Sequence, residues 1–138
     1  MNESGNGDLT YPEICTDLVK TLFEVGYVAV GRGLQSYAED IFNALIAARP
    51  ESELPIVGLA VCRMNFGDFT SATALLMQKA LVINPASDIA KSFLGMISHC
   101  CGANKEALLI MNEVISSGKD PSAISLAQNV IKEINFKQ

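Results

Sequence analysis

The residues with the most evident chemical potential are His99, Cys100 and Cys101, which are consecutive in the sequence. An imidazole beside two thiols could supply a nucleophile with its base, or part of a metal site. Consecutive residues on a helix point about 100° apart, however, and zinc takes four ligands in a tetrahedral array. Cys15 and Cys62 are distant in the sequence and do not create the two-residue spacing of zinc and redox sites. The cysteines are therefore interpreted as reduced thiols, and no metal is expected.

The remaining candidates for chemistry are two acidic pairs and one short glycine motif. They are Glu39 with Asp40, Glu51 with Glu53, and Gly31-x-Gly33. Carboxylates on a helix surface or in an interhelix turn are normally solvated, so we do not expect general acid–base chemistry of them. The glycine motif lacks the third glycine and the strand of a dinucleotide loop, and no Gly-Lys-Ser or Gly-Lys-Thr phosphate loop is present. The sequence therefore predicts neither an enzyme nor a bound cofactor.

Composition limits the partners and the compartment. The chain has 138 residues, of which 49% are hydrophobic and 18% charged, and its net charge is −5 without a basic cluster. Nucleic acid is therefore not an expected partner. The apolar window at 56–61 is interrupted by Gly58 and soon followed by Arg63, so no membrane insertion is expected. Residues 1–10 lack the basic start and apolar stretch of a secretory signal, which predicts a disordered lead-in, one domain over 11–138 and a cytoplasmic protein.

Four classes of residue recur with a period of 34 to 36 along the chain. They are Gly33, Gly67 and Gly102; Ala38, Ala72 and Ala107; Phe42, Leu76 and Met111; and Pro50, Pro85 and Pro121. Glycine suits a turn between helices, alanine a close helix contact, the large apolar residue the space between helices, and proline a helix end. A fixed period of this length is typical of repeat proteins. The chain is therefore predicted to form three helical hairpins.

The predicted helices span 11–31, 34–48, 54–65, 69–83, 87–101, 105–116 and 121–135. The last of them would cover the open end of the stack, as the ends of repeat proteins require. Pro12 and Pro121 suit first-turn positions, and Ser87 and Asn104 suit helix N-caps.

The series Gly26, Gly33, Ala38, Phe42 and Pro50 resembles the tetratricopeptide consensus, as do Gly67-Asp68-Phe69, Ala72, Ala80 and Pro85 in the second unit. The third unit carries Leu94-Gly95, Gly102, Ala107 and Met111. No tryptophan opens a repeat, and the second unit has one extra residue before its proline. The resemblance implies an all-α fold of three tetratricopeptide-like helical hairpins in a right-handed superhelix, with a C-terminal capping helix.

Within that class, the stretches 31–39 and 63–72 are similar to the needle-subunit chaperones of bacterial type III secretion systems. The resemblance implies a cytoplasmic bacterial protein that prevents premature polymerisation of the needle subunit. It also implies a second small helical co-chaperone, and so a heterotrimer.

Apolar residues remain on the first helix of each hairpin after the hairpin core is assigned. In stacked hairpins these helices line the concave surface, so we predict a partner-binding stripe there. The stripe consists of Phe23, Tyr27, Val30, Val57, Val61, Met64, Phe93, Met96 and Cys100. Such a surface suits the apolar face of an amphipathic helix. Each of these residues could equally be core, covered by the N-terminal segment or by the final helix.

Two other functions are compatible with this pattern. One is a chaperone for the translocator proteins of the same secretion systems, which would bind an extended segment in the groove. The other is a general tetratricopeptide adaptor or scaffold that joins assemblies without protecting a client. The size of the protein that copurifies with the chain would distinguish the first alternative from the needle-subunit hypothesis.

Overall fold

The computed structural model of the protein describes the backbone of residues 11–137 and the side chains of residues 16–137. The predicted lead-in at residues 1–10 lies outside the described residues. The described chain forms seven helices and no strand. They are α1 (Tyr11–Gly31), α2 (Gln35–Ala48), α3 (Leu54–Asn65), α4 (Phe69–Leu75, continued by Leu76–Ala80 and Leu81–Ile83), α5 (Asp88–Cys100), α6 (Asn104–Ser117) and α7 (Pro121–Lys137).

The helices pack as three consecutive hairpins, α1 with α2, α3 with α4 and α5 with α6. The first helices of neighbouring hairpins also contact each other, α1 against α3 and α3 against α5. Helix α7 packs on both α5 and α6, which is the position that the first helix of a fourth hairpin would take. The predictions of an all-α fold, three hairpins and a capping helix are therefore confirmed. No helix in the described part of the chain is both long and apolar enough to cross a bilayer.

The three periodic glycines end the first helix of each hairpin with positive φ, 76° at Gly33, 85° at Gly67 and 85° at Gly102. In each turn the amide that follows the glycine bonds back across it to the carbonyl five residues earlier. The donor–acceptor distances are 2.9 Å for Leu34 to Ala29, 2.9 Å for Asp68 to Arg63 and 2.8 Å for Ala103 to Ser98. This is the Schellman arrangement, which satisfies carbonyls at a helix end and favours glycine because an L side chain is strained at positive φ.

The periodic alanines and large apolar residues form the centre of each hairpin, as predicted. Ala38, Ala72, Ala107, Phe42, Leu76 and Met111 are all 0% exposed. Small residues on the facing helix make room for them. A Cβ built at Gly26 would lie 2.8 Å from the Phe42 ring, and one at Gly95 would lie 2.7 Å from Met111 Cε. Backbone-to-side-chain contact this close allows the two helices of a hairpin to approach tightly.

The extra residue of the second hairpin is accommodated by a π-helical turn, Leu76–Ala80, inside α4. A π-turn adds one residue to a helix without changing the side on which the flanking residues lie. Leu76 and Ala80 are accordingly both 0% exposed at its two ends. The helix continues to Ile83, so the insertion does not break the repeat.

The helix starts partly follow the predicted caps. Ser87 caps α5, since its side chain accepts a hydrogen bond from the Ala90 amide at 3.3 Å. The prediction that Asn104 caps α6 is wrong: Ala103 holds the cap position, and Asn104 begins the helix with its amide oxygen 2.9 Å from His99 Nδ1. Asp68 is an additional cap, accepting from the Ser71 amide at 3.1 Å. The side chain of Asn104 therefore contacts the imidazole of His99 and does not cap the helix.

Candidate partner-binding site

The predicted stripe lies on three first helices that contact each other, so its members are brought to adjacent parts of the fold. Two of them are core residues: Val30 is 6% exposed and Val57 is 2% exposed. Val30 packs in the cluster around Phe42, and Val57 in the cluster around Leu76. These two side chains are therefore occupied in the folded chain and leave little area for a partner.

Val61, Met64 and Phe93 are partly buried and pack against the core of the second hairpin. Met96 is partly buried against the core of the third hairpin, and Cys100 is exposed at the end of α5. Each of these side chains thus has one side on the core and retains some accessible surface. Partly exposed apolar side chains of this kind gain contacts when a partner covers them, because their remaining surface leaves water.

The aromatic residues of α1 are held by the core of the first hairpin. The ring of Tyr27 meets that of Phe42 edge-on with centroids 5.0 Å apart, and Phe23 lies 6.2 Å from Phe42 in a tilted arrangement. Tyr27 is 40% exposed as a whole residue. Desolvation of its hydroxyl by burial raises the pKa of that group to about 12. The hydroxyl is therefore a neutral hydrogen-bond donor and acceptor throughout the physiological pH range.

The His99–Cys100–Cys101 sequence does not form a thiol–imidazole pair. His99 Nδ1 lies 2.9 Å from Asn104 Oδ1, and its Nε2 lies 3.4 Å from Glu133 Oε2 on α7. Burial raises the pKa of the Cys100 thiol, which is opposite to the change that activates a nucleophilic cysteine. The two ring nitrogens of His99 thus link α5 to α6 and to α7. These contacts help to hold the capping helix α7 against the third hairpin.

One member of each acidic pair has a structural partner. Glu39 receives two hydrogen bonds from Arg63, at 2.8 Å and 3.2 Å, and Arg63 Nη1 donates to Ser71 Oγ at 2.6 Å. The bond from Arg63 lowers the pKa of Glu39 below its usual value. Glu53 accepts a bond from the Asn84 amide at 3.0 Å. An ionised, arginine-bound carboxylate is a poor general acid or base at neutral pH, so Glu39 is better described as a clamp between the first two hairpins.

No cluster of three or more His, Cys, Asp or Glu side chains with the geometry of a metal site occurs among the described residues. Cys62, Cys100 and Cys101 are free thiols, of which Cys62 is buried. Burial raises the pKa of Cys62 as well.

Sequence reasoning missed an exposed apolar surface on the first hairpin, which we call the hairpin-1 face. Its members are Leu18, Val25, Val28, Leu34 and Tyr37, each at least 46% exposed. Val25, Val28, Leu34 and Tyr37 line a cavity of about 270 Å³ whose floor includes Ala29 and Ile41. The sequence carried a signal for this surface, because these residues extend the apolar pattern of α1 and α2 to the side of the first hairpin that points away from the second hairpin.

No protein-family model and no curated protein matches the sequence. Several solved structures share the fold. The Yersinia enterocolitica type III secretion translocator chaperone SycD has a TM-score of 0.70 at 18% identity, over 88% of this chain and 90% of that one. The Sgt2 TPR domain from Aspergillus fumigatus has a TM-score of 0.63 at 19% identity, over 85% and 79%. The first TPR of Spaghetti (RPAP3), bound to the HSP90 peptide SRMEEVD, has a TM-score of 0.65 at 17% identity, over 85% and 95%.

These similarities establish that the described chain has a tetratricopeptide-like fold. Identities of this size support the fold alone and assign no partner. The proteins that share the fold include a secretion chaperone and a domain bound to a peptide.

Proposed function

We propose that the chain is a bacterial cytoplasmic type III secretion chaperone that binds an amphipathic helix of the needle subunit along its first helices. The observation that supports this proposal is the set of partly exposed apolar side chains on three consecutive first helices. The surface-accessible members of the stripe are Phe23, Tyr27, Val61, Met64, Phe93, Met96 and Cys100.

The chemistry of this surface favours an apolar helical client. An amphipathic helix presents anchors at intervals of three and four residues, which can meet side chains on α1, α3 and α5 in turn. Unbranched methionines adapt to irregular client surfaces, and Met64 and Met96 lie on neighbouring first helices. A small helical subunit with an exposed apolar face polymerises unless that face is covered. Covering it would keep the subunit monomeric until secretion.

A translocator chaperone is the second candidate, and one observation favours it. SycD is a translocator chaperone, and its fold matches nearly the full length of this chain with a TM-score of 0.70. A translocator segment would occupy the same apolar surface in extended form. The two candidates share the site and differ in the client.

A general adaptor that takes acidic peptides is less compatible with the surface. The peptide in the RPAP3 structure, SRMEEVD, carries three acidic residues and one basic residue. The present chain has a net charge of −5, and its stripe contains no lysine or arginine. Like charges disfavour association, so an acidic peptide should bind weakly.

The second small helical chaperone of the proposed complex would cover the hairpin-1 face. The third hairpin is covered at its outer end by α7, whereas the hairpin-1 face is exposed. A helix seated in the cavity between Val28, Leu34 and Tyr37 would continue the stack at its first end. The complex would then hold the co-chaperone at one end and the client along the first helices.

The test is co-expression of the chain with the needle subunit and, separately, with a translocator of the same secretion system. Met64→Glu should abolish copurification of the client while leaving the helical circular dichroism signal intact, because a carboxylate at this partly buried position reaches water in the free protein and is desolvated by the client.

Leu109→Glu is the matched control, since Leu109 is an apolar side chain 74% exposed on α6, away from the stripe. It should leave copurification unchanged. Retention of the needle subunit supports the primary proposal, and retention of the translocator alone supports the second. Equal loss of the client in both variants, or binding that survives Met64→Glu, would show that the stripe is not the site.

A further inference from the structure

The hairpin-1 face carries a projecting apolar side chain and a cavity at two different places along α1. Leu18 is 56% exposed in the N-terminal half of the helix. The cavity of about 270 Å³ lies at the C-terminal end of α1, where it is lined by Val28 and by Tyr37 of α2. Arg32 is the charged residue among the described residues that line it. The face therefore contains both halves of a knob-and-hole contact.

These two features lie at equal distances from Val25, which is 47% exposed. Leu18 is seven residues before Val25, and Arg32 is seven residues after it. At 1.5 Å per residue, each lies about 10 Å from Val25 along the helix axis. Seven residues make almost two full turns, so the three side chains share one side of α1. This side of the helix consequently has a midpoint about which it can pair with itself.

A twofold axis at Val25 would bring the α1 helices of two copies together in antiparallel orientation. Residue 18 of one copy then lies opposite residue 32 of the other, and each Val25 lies opposite its own counterpart. Leu18 of each copy would enter the cavity of the other beside Val28 and Tyr37, where its apolar surface leaves water. A contact that uses the same patch on both copies closes on itself and gives a dimer.

The charges on this side of α1 favour the same arrangement. Asp17 is exposed next to Leu18, and Arg32 is exposed at the cavity. Among the described residues, neither the Asp17 carboxylate nor the Arg32 guanidinium has a hydrogen-bond or ion-pair partner within the chain. Antiparallel pairing places Asp17 of each copy beside Arg32 of the other, so two ion pairs form across the contact. Parallel pairing would instead bring like charges together, which is unfavourable.

We propose that the free chain is a homodimer in which the α1 helices of two copies pair in antiparallel orientation through the hairpin-1 face. The dimer covers this apolar surface in the absence of other partners. One consequence rests on the proposed function: the co-chaperone would bind the same face, so it replaces the second copy. Dimerisation of the chain alone does not depend on that function.

Sedimentation velocity of the full chain, without partners, tests the charges. Asp17→Asn and Arg32→Gln should each raise the dimer dissociation constant about 2- to 25-fold, because each removes both symmetric ion pairs and an exposed pair contributes at most about 1 kcal/mol. Glu24→Gln and Lys20→Gln are the matched controls on the same helix. Lys20 points about 120° away from Arg32 around the helix axis, and Glu24 lies near the twofold axis, opposite its own counterpart. Neither control should weaken the dimer.

A charge exchange tests the orientation of the two helices. Arg32→Asp should dissociate the dimer, because it places two carboxylates opposite each other. Arg32→Asp combined with Asp17→Arg should restore it, since the ion pairs form again with their signs exchanged. A double variant that stays as dissociated as Arg32→Asp alone would overturn the antiparallel arrangement.

Cross-linking tests the position of the axis. In a background with serine at Cys15, Cys100 and Cys101, Val25→Cys should join two copies through a disulfide when a mild oxidant is added. Leu109→Cys in the same background should not, although Leu109 is 74% exposed on α6. Equal cross-linking of the two variants would show that Val25 is not at the twofold axis.

A full chain that sediments as a monomer at all concentrations would overturn the proposal. A dimer that survives both Leu18→Glu and Arg32→Asp would overturn it as well, because the copies would then meet through another surface. Leu18 is exposed, so Leu18→Glu should keep the helical circular dichroism signal of the chain. Leu18→Glu should also retain client copurification, and Met64→Glu should retain the dimer. Dimerisation and client binding can therefore fail separately.

Discussion

Phe42 determines how closely three helices approach in the first half of the molecule. Its ring lies against the backbone of α1 at Gly26 and the backbone of α3 at Gly58, where an added Cβ would overlap ring atoms. It is also the ring that Phe23 and Tyr27 contact. The two aromatic stripe residues on α1 are thus positioned by one buried residue, and this packing requires small residues around the Phe42 ring.

Gly58→Ala should therefore destabilise the protein although alanine is the better helix former. Overpacking costs about 1–3 kcal/mol, and the gain in helix propensity returns about 1 kcal/mol. We expect a net loss of up to about 2 kcal/mol in the free energy of unfolding, measured by urea titration, because a Cβ at Gly58 would overlap the Phe42 ring. Gly31→Ala is the control, because nothing lies within 4 Å of a Cβ at Gly31. An unchanged or higher stability for Gly58→Ala would mean that α3 moves away from Phe42 easily.

The Glu39–Arg63 clamp predicts a specific pH dependence. The pKa of Glu39 is lowered from its usual 4.5, so the ionised carboxylate is favoured in the folded state. The stabilisation is present above the unfolded-state pKa and is lost as the pH falls through the lowered folded-state pKa. The side chains are 24% and 28% exposed, and exposed pairs contribute at most about 1 kcal/mol.

Glu39→Gln should accordingly cost about 1 kcal/mol of unfolding free energy at pH 7. Its difference from the unmodified chain should shrink below pH 4.5 and vanish at lower pH. Denaturant titrations at several pH values measure this, with Asp40→Asn as the control because Asp40 is an exposed neighbour of the same charge type. A pH-independent difference would mean that the clamp acts through packing instead of charge.

The candidate site could be predicted only in part, and Val30 and Val57 show why. Their apolar spacing on the first helices is the same as that of Val61 and Met64, yet they are core residues. An apolar pattern in the sequence indicates which face of a helix is apolar. It does not indicate how much of that face neighbouring helices will bury. That extent depends on the contacts of α1 with α3 and of α3 with α5, which are set by tertiary packing.

At the scale of elements, the sequence predicted the helices and turns well because several signals coincided there. The turn glycines have positive φ, the periodic alanines are buried and the capping helix begins at Pro121, as expected. The extra residue before Pro85 was visible as a break in the period, but its consequence was not. Whether an insertion lengthens a loop or forms a π-turn depends on the packing of Leu76 and Ala80 on both sides.

The π-turn predicts an asymmetry between two deletions. Deleting Lys79 places Leu76 and Ala80 three positions apart in the chain. Residues at that spacing still lie on one face of an α-helix. We expect cooperative unfolding with a change of no more than about 1 kcal/mol. Deleting Ala44 in α2 brings Phe42 and Leu45 two positions apart and turns Leu45 out of the core, which should cost about 2–5 kcal/mol.

Circular dichroism melting curves of the two deletion variants provide the comparison, because both remove one exposed residue from a second helix of a hairpin. Equal destabilisation would contradict the view that Leu76–Ala80 contains a removable insertion.

At the scale of the whole molecule, the proposed function predicts that a client bound at the stripe stabilises the chain. A ligand that binds only the native state stabilises it by mass action, by about 2.7 kcal/mol at a free concentration one hundred times the dissociation constant. For a domain of this size that corresponds to a rise in melting temperature of roughly 10 °C. We expect this rise when the purified client is added to the chain in a thermal melt.

Val61→Glu should eliminate the rise while Leu109→Glu keeps it, since Val61 is on the stripe and Leu109 is 74% exposed on α6. Ala72→Glu should instead unfold the free protein, because Ala72 is 0% exposed and an unpaired buried charge consumes much of a domain's roughly 5–15 kcal/mol of stability. The three variants separate recognition from folding in one assay. If Val61→Glu lowers the melting temperature of the free chain as severely as Ala72→Glu does, then Val61 belongs to the core and the client must bind elsewhere, with the hairpin-1 face as the next surface to test.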